Sequence, residues 1–131
     1  MSQDFYARAL ATAESIEARV HVTPRVAIVL GTGLGALTDV IDVKATIPYD
    51  ELDGFPEPTV ETHSGRLVFG LLAGTPVVAM QGRFHRYEGY SLQEITFPIR
   101  VLKLLGAETL VVSNVSGGMN PLWGVGELVL L

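Results

Sequence analysis

Gly82-Arg83-Phe84-His85-Arg86-Tyr87-Glu88-Gly89-Tyr90 is the stretch from which the fold can be read. An apolar run, Pro76 to Met80, precedes it and reads as a buried strand. Ser91-Leu92-Gln93-Glu94 follows, a Ser-x-x-Glu capping box that opens a helix. A strand ends, a glycine-bracketed loop intervenes, and a helix begins. The loop holds two arginines, a histidine, a glutamate and two tyrosines. In open α/β sheets ligands bind just beyond the carboxyl ends of strands, so this loop is placed and equipped to bind an anion.

Upstream, Leu67 to Leu72 pairs with Pro76 to Met80 as a hairpin through Ala73-Gly74-Thr75. Ile41 to Ile47 alternates well enough for another strand. Arg25 to Leu30 is a continuous apolar run, the pattern of a strand buried on both faces. Gly31-Thr32-Gly33-Leu34-Gly35 turns that strand into a short helix, Ala36 to Val40. Asp4 to Val20 reads as an amphipathic helix, with Phe5, Ala9, Leu10, Ala13, Ile16 and Val20 on its apolar face, and Thr23-Pro24 breaks it. Pro48 to Glu61 is loop-like, and Asp50, Glu51, Asp53, Glu57 and Glu61 read as a solvated face.

Downstream, the helix from Ser91 runs to Leu105, where Gly106 ends it. Pro98 inside it should kink it or start a new segment. Thr109 to Ser113 reads as a buried strand, Asn114 to Gly126 as a second glycine-rich loop, and Glu127 to Leu131 as the start of one more strand. The pattern is one α/β domain over residues 1 to 131 with no internal boundary. The closing apolar run looks like a chain cut inside an element.

Composition narrows the function classes. Of the 131 residues 48% are hydrophobic and 18% charged, so either the core is unusually full or some apolar surface meets something else. A net charge of −5 argues against a nucleic-acid partner and against an anionic membrane surface. Any anion site must be local. The absence of cysteine excludes disulfides and thiolate metal sites. The three histidines are far apart in sequence, which indicates no metal site. No basic region followed by an apolar core opens the chain, and no run approaches the ~18 apolar residues of a membrane span. The expectation is a soluble, cytoplasmic protein.

Three strand-ending loops share one chemistry. In the first, Gly31 and Gly33 allow backbone N–H groups to approach an anion, Thr32 adds a hydroxyl, and the following helix N-terminus adds a positive dipole end. A plain tight turn fits as well. In the second, Arg83 can fork onto phosphate oxygens and His85 can donate to the same anion. Glu88 can hold that imidazole in its donating tautomer or favour its charged form. In the third, Ser113-Asn114-Val115-Ser116-Gly117-Gly118-Met119-Asn120-Pro121, amides near Val115 to Gly118 can form an anion nest. His63 and His21 read as surface histidines, and Trp123 as packing a loop or an interface. A rival reading also exists: Gly31-x-Gly33-x-x-Ala36 fits a dinucleotide-binding fingerprint with Asp50 near the ribose-acid spacing, although the helix would be very short and Ile47-Pro48-Tyr49 interrupts the strand. That reading would make the chain a dinucleotide-dependent oxidoreductase. A non-catalytic phosphate or nucleotide binder is the other alternative.

From about Val26 onward the motifs resemble the trimeric branch of purine nucleoside phosphorylases, which includes methylthioadenosine phosphorylases. They are Val29-Leu30-Gly31-Thr32-Gly33-Leu34-Gly35; Ile47-Pro48-Tyr49 with Gly54-Phe55-Pro56; His63-x-Gly65-Arg66-Leu67; Met80-Gln81-Gly82-Arg83-Phe84-His85-x-Tyr87-Glu88-Gly89-Tyr90; and Ser113-Asn114-x-x-Gly117-Gly118-x-Asn120-Pro121. The resemblance implies a mixed central β-sheet flanked by helices, of which this chain is the N-terminal part and apparently truncated. It implies a pentosyltransferase, which uses phosphate to convert a purine ribonucleoside or deoxyribonucleoside into free purine and the sugar 1-phosphate. The partners implied are purine nucleoside and phosphate, with no nucleic acid or membrane, in a homotrimer. No cofactor is implied, inorganic phosphate being a co-substrate.

Carried over onto this sequence, the catalytic pair is His85 with Glu88. The phosphate site is Thr32, His63, Arg83, His85 and the Val115 amide, and Tyr87 contacts the ribose. Gly31, Gly33, Asn114, Gly117 and Gly118 shape the site. Thr32 stands where the family usually has serine, and Val115-Ser116 where it usually has two small residues. The residues that grip and protonate the purine lie beyond Leu131 by this resemblance, so the expectation is a chain inactive alone.

Overall fold

The computed structural model describes residues 3–31, 33–56 and 65–131. Helix α1 (Gln3–Glu17) is followed by strands β1 (Val26–Val29), β2 (Asp42–Pro48), β3 (Arg66–Leu72) and β4 (Thr75–Gln81), then helix α2 (Leu92–Leu104) and strand β5 (Thr109–Val112). The strands form one mixed sheet in the order β2-β3-β4-β1-β5. β2, β3 and β4 are an antiparallel meander, and β1 lies parallel between β4 and β5. Among the described residues, no helix is long and apolar enough to cross a membrane.

The sequence explains the layers. Successive side chains of a strand point to opposite faces. Ala27 and Val29 join Val78, Met80, Leu67 and Phe69 in the larger core, under Ala9, Ala13 and Ile16 of α1 and Phe97, Val101 and Leu102 of α2. Ile28 and Leu30 join Val68, Val77, Ala79 and Ile41 in a smaller core on the other face. Burial on both faces is why β1 carries no polar alternation. On α1, Leu10 is exposed and Thr12 takes a place in the buried face, its hydroxyl donating to the Arg8 and Asp53 carbonyls at 3.0 and 2.8 Å.

Local signals place the other boundaries. Ala73 and Gly74 both take positive φ, 49° and 79°, as a two-residue hairpin loop demands. Ser91 accepts the Glu94 N–H while the Glu94 carboxylate accepts the Ser91 N–H, and hydrogen bonding from the Ser91 side chain and then its backbone holds the Glu94 carboxyl below its ordinary range. Pro98 does not start a new segment: α2 is one helix through it. The proline costs one intrahelical N–H bond, and burial of Phe97, Pro98, Val101 and Leu102 outweighs that loss. Residues Gly35–Val40 form a six-residue 3-10 turn instead of an α-helix.

Two expectations are overturned at the carboxyl end. β5 is a strand, but all four of its residues are exposed, because among the described residues it is the sheet edge and pairs with β1 alone. Glu127 to Leu131 forms no strand. Its apolar run finds no described neighbour with which to build a ladder, and an apolar sequence cannot report whether a partner is present. Unpaired, apolar sheet edges template association with other chains. The chain is therefore predicted to self-associate with concentration in sedimentation velocity, and Val112→Lys to shift it toward monomer. A wild-type chain that stays monomeric at high concentration would contradict an open edge.

Candidate functional site

Register places the three loops at one end of the sheet. Val29 of β1 lies level with Met80 of β4 and Val112 of β5. The parallel trio therefore stops together and releases Leu30-Gly31, Gln81-Gly82-Arg83 and Ser113-Asn114 side by side. The placement is the one that parallel α/β topology reserves for ligands.

Ser113 ties the three together. Its hydroxyl accepts the Gly31 N–H at 3.0 Å and donates to the Val29 carbonyl at 3.3 Å, and its own carbonyl accepts Arg83 Nη1 at 2.8 Å. Gly31 passes so close that a Cβ there would stand 2.6 Å from the Ser113 carbonyl oxygen. The Gly31 N–H is thus spent on Ser113, not offered to an anion. No helix dipole supplements it, since the element that follows is the short 3-10 turn.

The second loop is folded around its own side chains. Phe84 is buried between Tyr49 and Tyr90, with ring centroids 5.3 and 5.6 Å away. Arg83 and His85, its two neighbours in sequence, are both only half-buried. Arg83 Nε donates to His85 Nε2 at 3.1 Å. His85 Nδ1 lies 2.9 Å from Glu88 Oε2, which also accepts the His85 backbone N–H at 2.7 Å. Tyr87 stacks on the His85 ring at 4.7 Å and is 84% exposed. Arg86 is directed to the Tyr90 carbonyl.

This chain of bonds leaves one of the two roles expected of Glu88. With its proton on Nδ1 toward Glu88, a neutral His85 presents Nε2 as an acceptor, and Arg83 fills it. Glu88 does not hold the tautomer that donates from Nε2. Donation to an anion from that nitrogen needs the imidazolium form and release of Arg83 Nε. Two of the five guanidinium N–H groups of Arg83 are committed to Ser113 and His85, which leaves three for an anion.

Gly31, Arg83, His85 and Glu88 are thus brought together, with Tyr87 on their outer side. Asn114, Val115, Gly117 and Gly118 follow β5 but are exposed, and a Cβ on either glycine would meet nothing within 4 Å. Gly33 occupies the first turn with φ +84°. Thr32 and His63 lie outside the described residues. His21 is exposed and Trp123 half-exposed. The dinucleotide reading fails on topology. β2 is separated from β1 by β3 and β4 and runs antiparallel to β3, so no βαβ unit follows the first loop and Asp50 leaves the sheet at its far edge.

Two residues of the site stand in the quoted motifs, but their position in the sequence gave them no role. One is Ser113, whose role exists only because β5 lies beside β1. The other is Tyr49, whose hydroxyl donates to the Gly82 carbonyl at 2.6 Å. Burial pushes the Tyr49 phenol well above its ordinary pKa, so it remains a donor.

With this geometry in hand, comparison with known proteins agrees with the motifs. The model of the phosphorylase superfamily matches residues 25–131, and the chain belongs to that superfamily. The purine nucleoside phosphorylase of Rattus norvegicus is 50% identical over 120 residues, which cover 92% of this chain and 42% of the rat protein. The crystal structure of Schistosoma mansoni purine nucleoside phosphorylase in complex with inosine superposes with a TM-score of 0.87 at 44% identity, over 92% of this chain and 42% of that one. Isoform 2 from the same organism, in complex with cytosine and ribose-1-phosphate, gives a TM-score of 0.84 at 46% identity, over 88% of this chain and 41% of that one. The chain therefore spans about two fifths of the length of these relatives.

Proposed function

We propose that this chain carries the phosphate and ribose side of a purine nucleoside phosphorylase active site. The observation that carries the reading is the cluster of three strand-end loops knotted at Ser113, with Arg83, His85 and Glu88 linked in series. Arg83 grips inorganic phosphate through its remaining N–H groups, with the Thr32 hydroxyl, His63 and the Val115 amide as further donors. His85, as imidazolium on Glu88, donates to the same anion, and Tyr87 lies against the ribose. A phosphate oxygen forms its bond to C1′ as the C1′–N bond to the purine breaks. The purine leaves with the electron pair and takes up a proton. Held in line, the nucleophile loses little freedom on reaction, and its charge stabilises the cationic sugar. The reaction uses no cofactor, because phosphate is itself the second substrate. The setting is purine salvage in the cytoplasm, in a homotrimer.

A chimera tests this. Residues 1–131 replace the matching segment of the rat relative, and phosphate-dependent release of hypoxanthine from inosine is measured. The isolated chain is expected to be inactive and the chimera active. A chimera that binds phosphate but never cleaves inosine would reduce the chain to a phosphate binder.

A further inference from the structure

We propose that Tyr49 is a positioning residue of the phosphate site, one that aims Arg83 from beneath; this rests on the phosphate reading above. Tyr49 is 1% exposed and follows β2, on the far side of the sheet from β1. Its ring nevertheless reaches the β4 loop, because two glycines leave the path open. A Cβ on Gly65 would fall 2.2 Å from the Tyr49 ring, and one on Gly82 would fall 3.2 Å from the Gly65 Cα. The Tyr49 N–H donates to the Gly65 carbonyl at 2.9 Å, which fixes the ring's own base.

Both neighbours of Arg83 are held by this one side chain. The Tyr49 hydroxyl holds the carbonyl of Gly82, the residue before it, at 2.6 Å. The Tyr49 ring holds Phe84, the residue after it, at 5.3 Å between centroids. Gly82 takes φ +99°, a region where the backbone has no side chain to lock it. The phenol supplies that lock. Rotation of the Gly82 peptide would swing Arg83 away from Ser113 and His85, and so change where its open N–H groups point. Tyr49 touches no reacting group, and its effect reaches phosphate only through Arg83.

Tyr49→Phe removes one oxygen and keeps the ring. The test titrates inorganic phosphate into the 131-residue chain by calorimetry, with thermal melts alongside. Thr12→Val is the matched control, since it too deletes a buried hydroxyl bonded to a carbonyl, but in α1. Tyr49→Phe should weaken phosphate about three- to tenfold, the scale of one lost hydrogen bond. Thr12→Val should stay within about twofold while losing similar stability. Phe84→Leu, a second variant that keeps apolar volume, should also weaken phosphate. Equal weakening by Tyr49→Phe and Thr12→Val would assign the effect to stability and overturn the proposal. Unchanged affinity in Tyr49→Phe and Phe84→Leu, with Arg83→Ala still impaired, would overturn it while leaving the phosphate site standing. Failure of the unaltered chain to bind phosphate would overturn the phosphate reading and this inference with it.

Discussion

Arg83→Ala is expected to weaken the binding of inorganic phosphate by about 100-fold, the largest single loss at the site. Hydrogen bonds to a charged group contribute about 1.5–3 kcal/mol each, and a tenfold change in affinity corresponds to about 1.4 kcal/mol. Arg83 can offer phosphate two such bonds in a fork, with Nε released from His85, while Nη1 keeps the Ser113 carbonyl. The structural cost of the substitution is smaller. It removes the bonds to the Ser113 carbonyl and to His85 from a half-buried position, where water can replace both partners. Arg83→Lys separates charge from geometry. Lysine keeps the positive charge but cannot donate to Ser113 and fork onto an anion in one planar arrangement. About a tenfold loss is expected for it, between wild type and alanine. Calorimetric titration at fixed ionic strength reads both, because screening alters every exposed charge contact. Phosphate affinity within twofold of wild type in Arg83→Ala would remove the arginine from the site.

How much of this was legible beforehand depends on whether a feature is local. The strand-loop-helix reading of residues 76–94 holds because Gly82, Gly89 and the Ser91–Glu94 box are signals carried within a few residues. The hairpin at Ala73-Gly74 is readable for the same reason. Convergence of the three loops follows from topology, since parallel neighbours end on the same side. The larger misreadings are non-local. Leu110, Val111 and Val112 look like a core strand because apolar content says that a face wants burial, not that a neighbour exists to provide it. The serine at position 113 looks like any turn residue until β1 is laid beside it. Tyr49 stands two strands away from the loop it supports, and its reach depends on what Gly65 and Gly82 lack. The His85–Glu88 spacing announced an interaction, yet it did not say that Arg83 Nε would occupy the other ring nitrogen.

Gly31→Ala is the second large effect, and it tests whether the loops form one unit. A methyl group at position 31 would stand 2.6 Å from the Ser113 carbonyl oxygen and 3.3 Å from the Asn114 Cα, both backbone atoms that no rotamer change can move aside. Overpacking of this kind costs about 1–3 kcal/mol, and a backbone clash belongs at the upper end. The displaced oxygen is the acceptor of Arg83 Nη1, so relief of the clash should drag the guanidinium off its line. Phosphate affinity should therefore fall together with stability, which distinguishes this glycine from an ordinary turn glycine. Gly35→Ala supplies the contrast. Its new Cβ would meet only the Gln81 side chain at 3.7 Å, an ordinary contact, and stability should change by no more than about 0.5 kcal/mol. Urea unfolding midpoints give the first quantity and phosphate titration the second. The double variant decides the coupling. If Gly31 acts on phosphate through Ser113 and Arg83, adding Arg83→Ala to Gly31→Ala weakens phosphate by far less than the product of the two single effects. Full multiplicativity would mean that the β1–β5 contact and the aim of Arg83 are independent, and the knot at Ser113 would then be a matter of stability alone.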